Sequence, residues 1–384
     1  MNRNFWLTLF VLACLVSCNQ QKVENGYTLK PSDDLLRIEL DSLTSNISSW
    51  LGYYYDAKLD SGLLYSVDPV RNEIERYSLQ DGKLFDKMTY DREGPKGVGT
   101  LIEIGILGLD SVLIFPPFDN SFYQSRFSDA ALNKVAYNKP DEYSPIRSMT
   151  NYFSSPAYTD GQYIYTRTLF GGNYMLMENE ELSEKPLMYR VNVASGAVEF
   201  AHFTFPDDYW ADGKTSYEFS TAVNGGQFAF SFYGDHNIYV ASSFDEELRP
   251  IMAKSNYLPA DFERLPEAGS REDRLRYFAT TQHYGSLIYD GYRNVYYRFC
   301  YPKVDLNGSE DVRSLVQFPP AFSIMILDRE FKVLGEKLIE KESQLAPGNV
   351  FVGPKGLYIS INHPDHPDNL EDYFSFMLFE LVEE

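Results

Sequence analysis

The chain has 384 residues, 44% of them hydrophobic, with 30 Tyr, 27 Phe and a net charge of −21. So acidic a protein repels nucleic acid and anionic head groups, and no basic patch with interleaved aromatics offsets that charge. Its length exceeds the size at which one hydrophobic core usually keeps growing, yet no Pro/Ser/Gly-rich linker divides it.

Residues 1–17 read as a signal peptide. Arg3 supplies the positive end, and Phe5 to Val16 is an unbroken apolar run. That run is too short for a membrane span, which needs about 20 residues, but suits a signal-peptide core. It ends in Leu15–Cys18, "LVSC", which resembles the lipobox of bacterial lipoproteins. The resemblance implies that Cys18 becomes the first residue and carries diacylglycerol on its sulfur. Asn19 would not retain the protein in the inner membrane. The expected address is therefore the outer membrane, on its periplasmic or its surface side. Residues 18–27 form a tether, and residues 28–384 a single domain. Cys14 leaves with the signal peptide, so Cys300 is the one thiol left in that domain. It is expected to be buried and inert, and a domain without disulfides must be held by its core.

Along the rest of the chain, short β-rich runs alternate with Asp, Asn, Gly and Pro clusters. "LLRIEL", Leu35–Leu40, alternates but has no partner nearby. Strand–turn–strand units then begin at Leu63, Val112, Tyr163, Phe228, Asn294 and Gly356. Their spacing of roughly 50 to 65 residues fits propeller blades with loop insertions. The predicted fold is all-β, a six-bladed β-propeller. Each unit is expected to open with an inner strand and to have its own two-sided core, so that six small cores replace one large one. The last unit stops short of a full blade, and Leu35–Leu40 is expected to supply the missing outer strand and close the ring. One helix interrupts the pattern. "SREDRLRYFATTQ", Ser270–Gln282, has a Ser N-cap and acidic residues in its first turn. It should pack on one face of the ring through Leu275, Phe278 and Ala279.

The tetrapeptide Gly-Pro-Lys-Gly occurs at 94–97 and again at 353–356. Neither copy precedes a helix, so neither can be a phosphate loop, which needs the helix N-terminus to hold the anion. Pro second and Gly fourth suit a β-turn. The second copy reads as a turn between strands of the last blade. The first lies between blades one and two, where Arg92, Glu93 and Lys96 are charges that turn geometry does not require. They are candidates for ligand contact.

"REGPKGVG", Arg92–Gly99, and "HYGSLIYDGYRNVYYRFCYP", His283–Pro302, resemble a family of Bacteroides-type lipoproteins of unknown function related to six-bladed, TolB-like propellers. The resemblance spans about Leu35 to Leu381. It implies the propeller and a cell-envelope address. It supplies no activity and no catalytic residues.

Within the second motif, His283, Tyr289, Asp290, Arg293 and Arg298 are further ligand-binding candidates. Blade packing with an Asp290–Arg293 turn contact is the simpler reading. The sharper one places Arg298 on a channel-facing surface, binding a carboxylate or phosphate. "HPDHPDNLED" offers His363, Asp365, His366 and Asp368 as metal ligands for zinc or calcium, but its prolines fit a polar hairpin loop, and no cofactor is expected. "DLNGSED", Asp305–Asp311, lacks the spacing of a calcium loop. "MENEELSE", Met177–Glu184, reads as a solvated face. Asp207 and Asp208 could serve glycoside hydrolysis only at a defined separation that sequence does not show.

The function expected is a lipid-anchored envelope module that binds a peptide, a glycan or an envelope protein. The alternative is an envelope hydrolase or lyase with a metal or carboxylate site in the channel.

Overall fold

The computed structural model describes residues 26–47, 51–266, 270–306, 308 and 311–384. The signal segment, Cys18 and most of the tether lie outside these, as do Asn307, Ser309 and Glu310 of the acidic loop. Six four-stranded antiparallel sheets form the blades of a propeller. The chain opens with β1 (Tyr27–Glu39) and then builds blade 1 from β2 (Leu51–Asp56), β3 (Ser61–Asp68), β4 (Glu73–Ser78) and β5 (Leu84–Thr89). Blade 2 holds β6 (Glu103–Ile106), β7 (Ser111–Phe115), β8 (Ser121–Arg126) and β9 (Leu132–Ala136). Blade 3 holds β10 (Tyr158–Thr159), β11 (Tyr163–Arg167), β12 (Met188–Asn192) and β13 (Val198–Phe200). Blade 4 holds β14 (Phe219–Asn224), β15 (Gln227–Phe232), β16 (Asn237–Ala241) and β17 (Arg249–Met252). Blade 5 holds β18 (His283–Asp290), β19 (Val295–Tyr301), β20 (Phe322–Leu327) and β21 (Val333–Ile339). Blade 6 holds β22 (Ala346–Gly353), β23 (Gly356–Ser360) and β24 (Tyr373–Glu383), with β1 as its outermost strand.

The two ends of the chain meet there. β1 runs antiparallel to β24 from Tyr27↔Glu383 to Glu39↔Tyr373, with a bulge between Pro31 and Leu35. Leu29 and Ile38 of β1 are fully buried, and burial of each such side chain contributes about 1.5–3 kcal/mol. Pairing of β1 with β24 also covers what would be a free sheet edge.

The strand that stands out in each sequence unit is the second of its blade, not the inner one. First strands touch first strands of neighbouring blades, as β2 does β6 and β22, and β14 does β18. They surround the axis. β2 is half-buried at every position and β10 has only two residues, so neither carries a strong pattern. Second strands are buried on both sides and read as continuous apolar runs.

The cores also lie elsewhere than expected. Each of six clusters sits between two adjacent blades, not within one. Val112 and Ile114 of β7 face blade 1, while Leu113 and Phe115 face blade 3. Tyr297 and Phe299 of β19 face blade 6, while Tyr296 and Cys300 face blade 4. Because side chains alternate along a strand, one strand can serve both neighbours. Cys300 is fully buried, and burial pushes its thiol up to about 12.

Antiparallel blades also sort the loops. The blade-to-blade connections and the turns between second and third strands share one face, called here the connection face. The other turns lie on the opposite face. Three short helices decorate the connection face: α1 (Asn179–Glu184), α2 (Arg271–Thr280) and α3 (Val312–Gln317). Ser270 caps α2 through a reciprocal bond pair with Asp273. Tyr277 and Ala279 are its buried residues, whereas Leu275 and Phe278 stay half-exposed beside a cavity. α3 packs against α2.

Candidate functional site

The candidates taken from sequence fall into five separate places. The first Gly-Pro-Lys-Gly is a closed turn, with Gly97 N–H donating to the Gly94 carbonyl at 3.0 Å. A Cβ on Gly97 would come within 2.6 Å of the Glu93 backbone, so the chain needs glycine there. Arg92 donates to the carbonyls of Pro69 and Val70 at 2.7 and 2.8 Å. Glu93 and Lys96 are exposed at the rim of blades 1 and 2.

Tyr289, Asp290 and Arg293 lie on the opposite face. Asp290 is fully buried and accepts from the Tyr292 and Arg293 amides, the Arg293 guanidinium and the Tyr297 hydroxyl. Arg293 also donates to the carbonyls of Gly353 and Pro354. It therefore clips blade 5 to the second Gly-Pro-Lys-Gly, the two-residue turn joining β22 and β23. Tyr289 donates to Asn294 at 3.1 Å.

Arg298 is sealed between blades 4 and 5. Its Nε donates to Ser231 Oγ at 2.9 Å, and its terminal nitrogens donate to the carbonyls of Asp235, His236, Asn237 and Ala253 at 2.7–3.2 Å. The guanidinium lies 3.3 Å from the centre of the Tyr284 ring. It has no exposed atoms to offer a ligand; it is a strut.

The His363 loop joins β23 to β24. His363 Nδ1 accepts from the Asp365 amide and His366 Nδ1 from the Asp368 amide, so both rings close local turns. Among the described residues no three His, Cys, Asp or Glu converge on a metal position.

His283 is the sequence candidate that reaches a cavity. The space is about 460 Å³, on the connection face of blades 3, 4 and 5, within the range of small-molecule sites. Tyr152 and Phe153 enter it from the connection between blades 2 and 3, Tyr174 and Tyr233 from second-to-third-strand loops, Leu275 and Phe278 from α2, and Tyr301 from the end of β19. The His283 ring lies between Tyr233, at 4.4 Å and parallel within 2°, and Tyr301 at 4.8 Å. Its Nδ1–H donates to the Thr281 carbonyl at 2.7 Å, which leaves Nε2 as an acceptor. Burial pushes its pKa down to about 4, so the ring is neutral at pH 7.

Three phenols of this wall have buried hydroxyls that find no partner among the described residues: Tyr174, Tyr233 and Tyr301. Leaving such a group unpaired costs roughly 1–3 kcal/mol. Burial pushes all three well above the usual tyrosine range, so they remain protonated donors. Two charged side chains line the cavity besides. Glu218 is held by buried Arg167 at 3.0 Å. Arg274 of α2 has no ionic or side-chain hydrogen-bond partner among the described residues, and it also lines a shallower hollow shared with Tyr174 and Tyr217.

Exposed apolar side chains also stand elsewhere on the same face. Val70, Phe118, Leu176, Val316 and Leu370 sit in the second-to-third-strand loops of blades 1, 2, 3, 5 and 6, and Phe118 is 93% exposed.

Fold and site together define a six-bladed β-propeller with an aromatic cavity at one face. Its family is that of the domain of unknown function DUF4221, whose model matches residues 26–338; the chain belongs to it. A crystal structure of a family member from Bacteroides vulgatus is similar over 94% of this chain and 99% of that one, with a TM-score of 0.83 at 20% identity. A luciferin-regenerating enzyme is similar over 92% of this chain and 95% of its own, with a TM-score of 0.44 at 11% identity. A likeness of that size carries no argument about activity. No curated protein matches the sequence.

Sequence reasoning missed most of this cavity. Sequence assigns Phe278 and Leu275 to packing, and nothing in it singles out Tyr174, Tyr233, Arg274 of the Ser270–Gln282 helix or Tyr301 of the His283–Pro302 motif. The usable signal was the density of aromatics in loops rather than strands.

Proposed function

We propose that this protein is a binding module of the cell envelope, held to the outer membrane by a lipid on Cys18. It receives a protein or peptide partner on the connection face. The observation that carries this reading is the aromatic cavity there, with one half-buried cation, Arg274, that has no ionic or side-chain hydrogen-bond partner among the described residues. Exposed apolar side chains in the loops of the same face, Phe118 and Leu176 among them, give a partner further apolar surface to cover. A lipid anchor suits such a role because two or more buried acyl chains hold a protein stably at a membrane.

The test is a cross-linked pull-down of the tagged full-length protein from native membranes, followed by mass spectrometry. A stoichiometric envelope protein is expected, and Phe118→Ser with Leu176→Ser should lose it. Recovery of self-peptides alone, or a partner indifferent to those changes, would sink the reading. Cys18→Ser should move the chain out of the membrane fraction; if it stays there, the anchor is something else.

A further inference from the structure

The cavity has a more specific chemistry than a general docking face. Its wall is mainly apolar, and the half-buried guanidinium of Arg274 is its one charged group without an ionic or side-chain hydrogen-bond partner among the described residues, while His283 Nε2 is a neutral acceptor. Glu218, the acid of the wall, is already paired with Arg167. A cationic ligand would meet an unpaired arginine and no free carboxylate. A sugar would bring many hydroxyls to a wall that is mainly apolar. A carboxylate is acceptor-only and takes several hydrogen bonds at once, with arginine its best partner.

We propose that the cavity between blades 3, 4 and 5 takes a compact aromatic or branched aliphatic group bearing one carboxylate. The carboxylate lies on Arg274 and the apolar body against the His283, Tyr233 and Phe278 rings. This rests on the reading of the connection face as the binding face. The same chemistry is carried by a free aryl or alkyl acid and by the C-terminal residue of a peptide, and both enter the test.

The experiment is calorimetric titration of the full-length protein in nanodiscs with four probes. They are 4-phenylbutyrate, the neutral 4-phenylbutanol, and the peptide Gly-Ser-Gly-Phe as free acid and as amide. One saturable site is expected for 4-phenylbutyrate. Arg274→Gln should weaken the acid roughly tenfold and leave the alcohol unchanged. Val316→Trp fills the mouth from α3 and should abolish binding of both. Val316 is 38% exposed, so that variant should keep the native unfolding midpoint; should it not fold, Arg274→Gln still decides the matter. Binding of the peptide acid but not its amide assigns the site to a chain terminus. Binding of 4-phenylbutyrate with exclusion of both peptides assigns it to free acids. No saturable acid binding, or equal losses for acid and alcohol in Arg274→Gln, overturns the proposal. A partner captured from membranes without acid binding would overturn this inference alone, and acid binding without a captured partner would overturn the protein-partner reading alone.

Discussion

Arg298→Met separates a structural arginine from a ligand-binding one. The substitution keeps an unbranched apolar stem but removes the guanidinium, and with it the contact over the Tyr284 ring and five hydrogen bonds. Their acceptors are Ser231 and four carbonyls gathered from the turn between β15 and β16 and from the end of β17. Hydrogen bonds to a charged donor contribute about 1.5–3 kcal/mol each. The cost of burying a guanidinium offsets much of that sum, and removing one side of a buried charged network typically costs 3–5 kcal/mol. A loss of about 4 kcal/mol is therefore expected. In urea, with a slope of at least 3 kcal/mol per molar for a domain of this size, the midpoint falls by about 1 M. Arg298→Lys keeps a donor but not the fork, and should fall between the two. The assay is equilibrium unfolding followed by tyrosine and tryptophan fluorescence, with titration of 4-phenylbutyrate alongside. A midpoint within about 0.2 M of the wild type would refute the strut, and loss of acid binding at unchanged stability would place Arg298 at a ligand instead.

Two further outcomes follow from the same geometry. His283 takes a proton below about pH 4 in the fold, against 6.5 ordinarily, so the unfolded chain binds the proton first as pH falls. Stability is complete above pH 6.5, declines toward pH 4 and levels off below it, with roughly 3 kcal/mol at stake. His283→Phe should flatten the slope of stability between pH 7 and 4.5 relative to wild type; parallel curves would show that the ring titrates normally. At Gly335 of β21, a Cβ would lie 1.8 Å from the Tyr27 carbonyl. Gly335→Ala should push β1 away from blade 5, cost about 1–3 kcal/mol and speed amide exchange in β1 specifically. Uniform exchange across all six blades would contradict that.

The ring architecture was readable because its cause is local. Second strands such as Val112–Phe115 must be apolar on both sides to serve two neighbouring blades, and that requirement repeats in every unit. Turn chemistry was equally local, as in the two Gly-Pro-Lys-Gly copies and the Ser270 cap. The position of the first strands was not, because a half-buried β2 or a two-residue β10 leaves no periodic trace. Nor was the location of the cores. Alternation along a strand such as β19 sends Tyr297 and Arg298 opposite ways, but does not say that a blade's two faces pack against different partners.

The candidate site was decided almost wholly by tertiary structure. Arg92, Arg293 and Arg298 share a charge and sit in similar motifs, yet one caps a turn, one clips two blades and one is sealed between them. What separates them is the set of carbonyls each meets, contributed by residues 22 to 63 positions away. Tyr174, Tyr233, Arg274 and Tyr301 meet only because ring closure brings the loops of blades 3, 4 and 5 to one mouth. Sequence by itself determined strands, turns, helix cap and repeat, since these depend on neighbours along the chain. The cavity and the unpaired Arg274 at its wall depend on neighbours in space, and only the closed propeller supplies them.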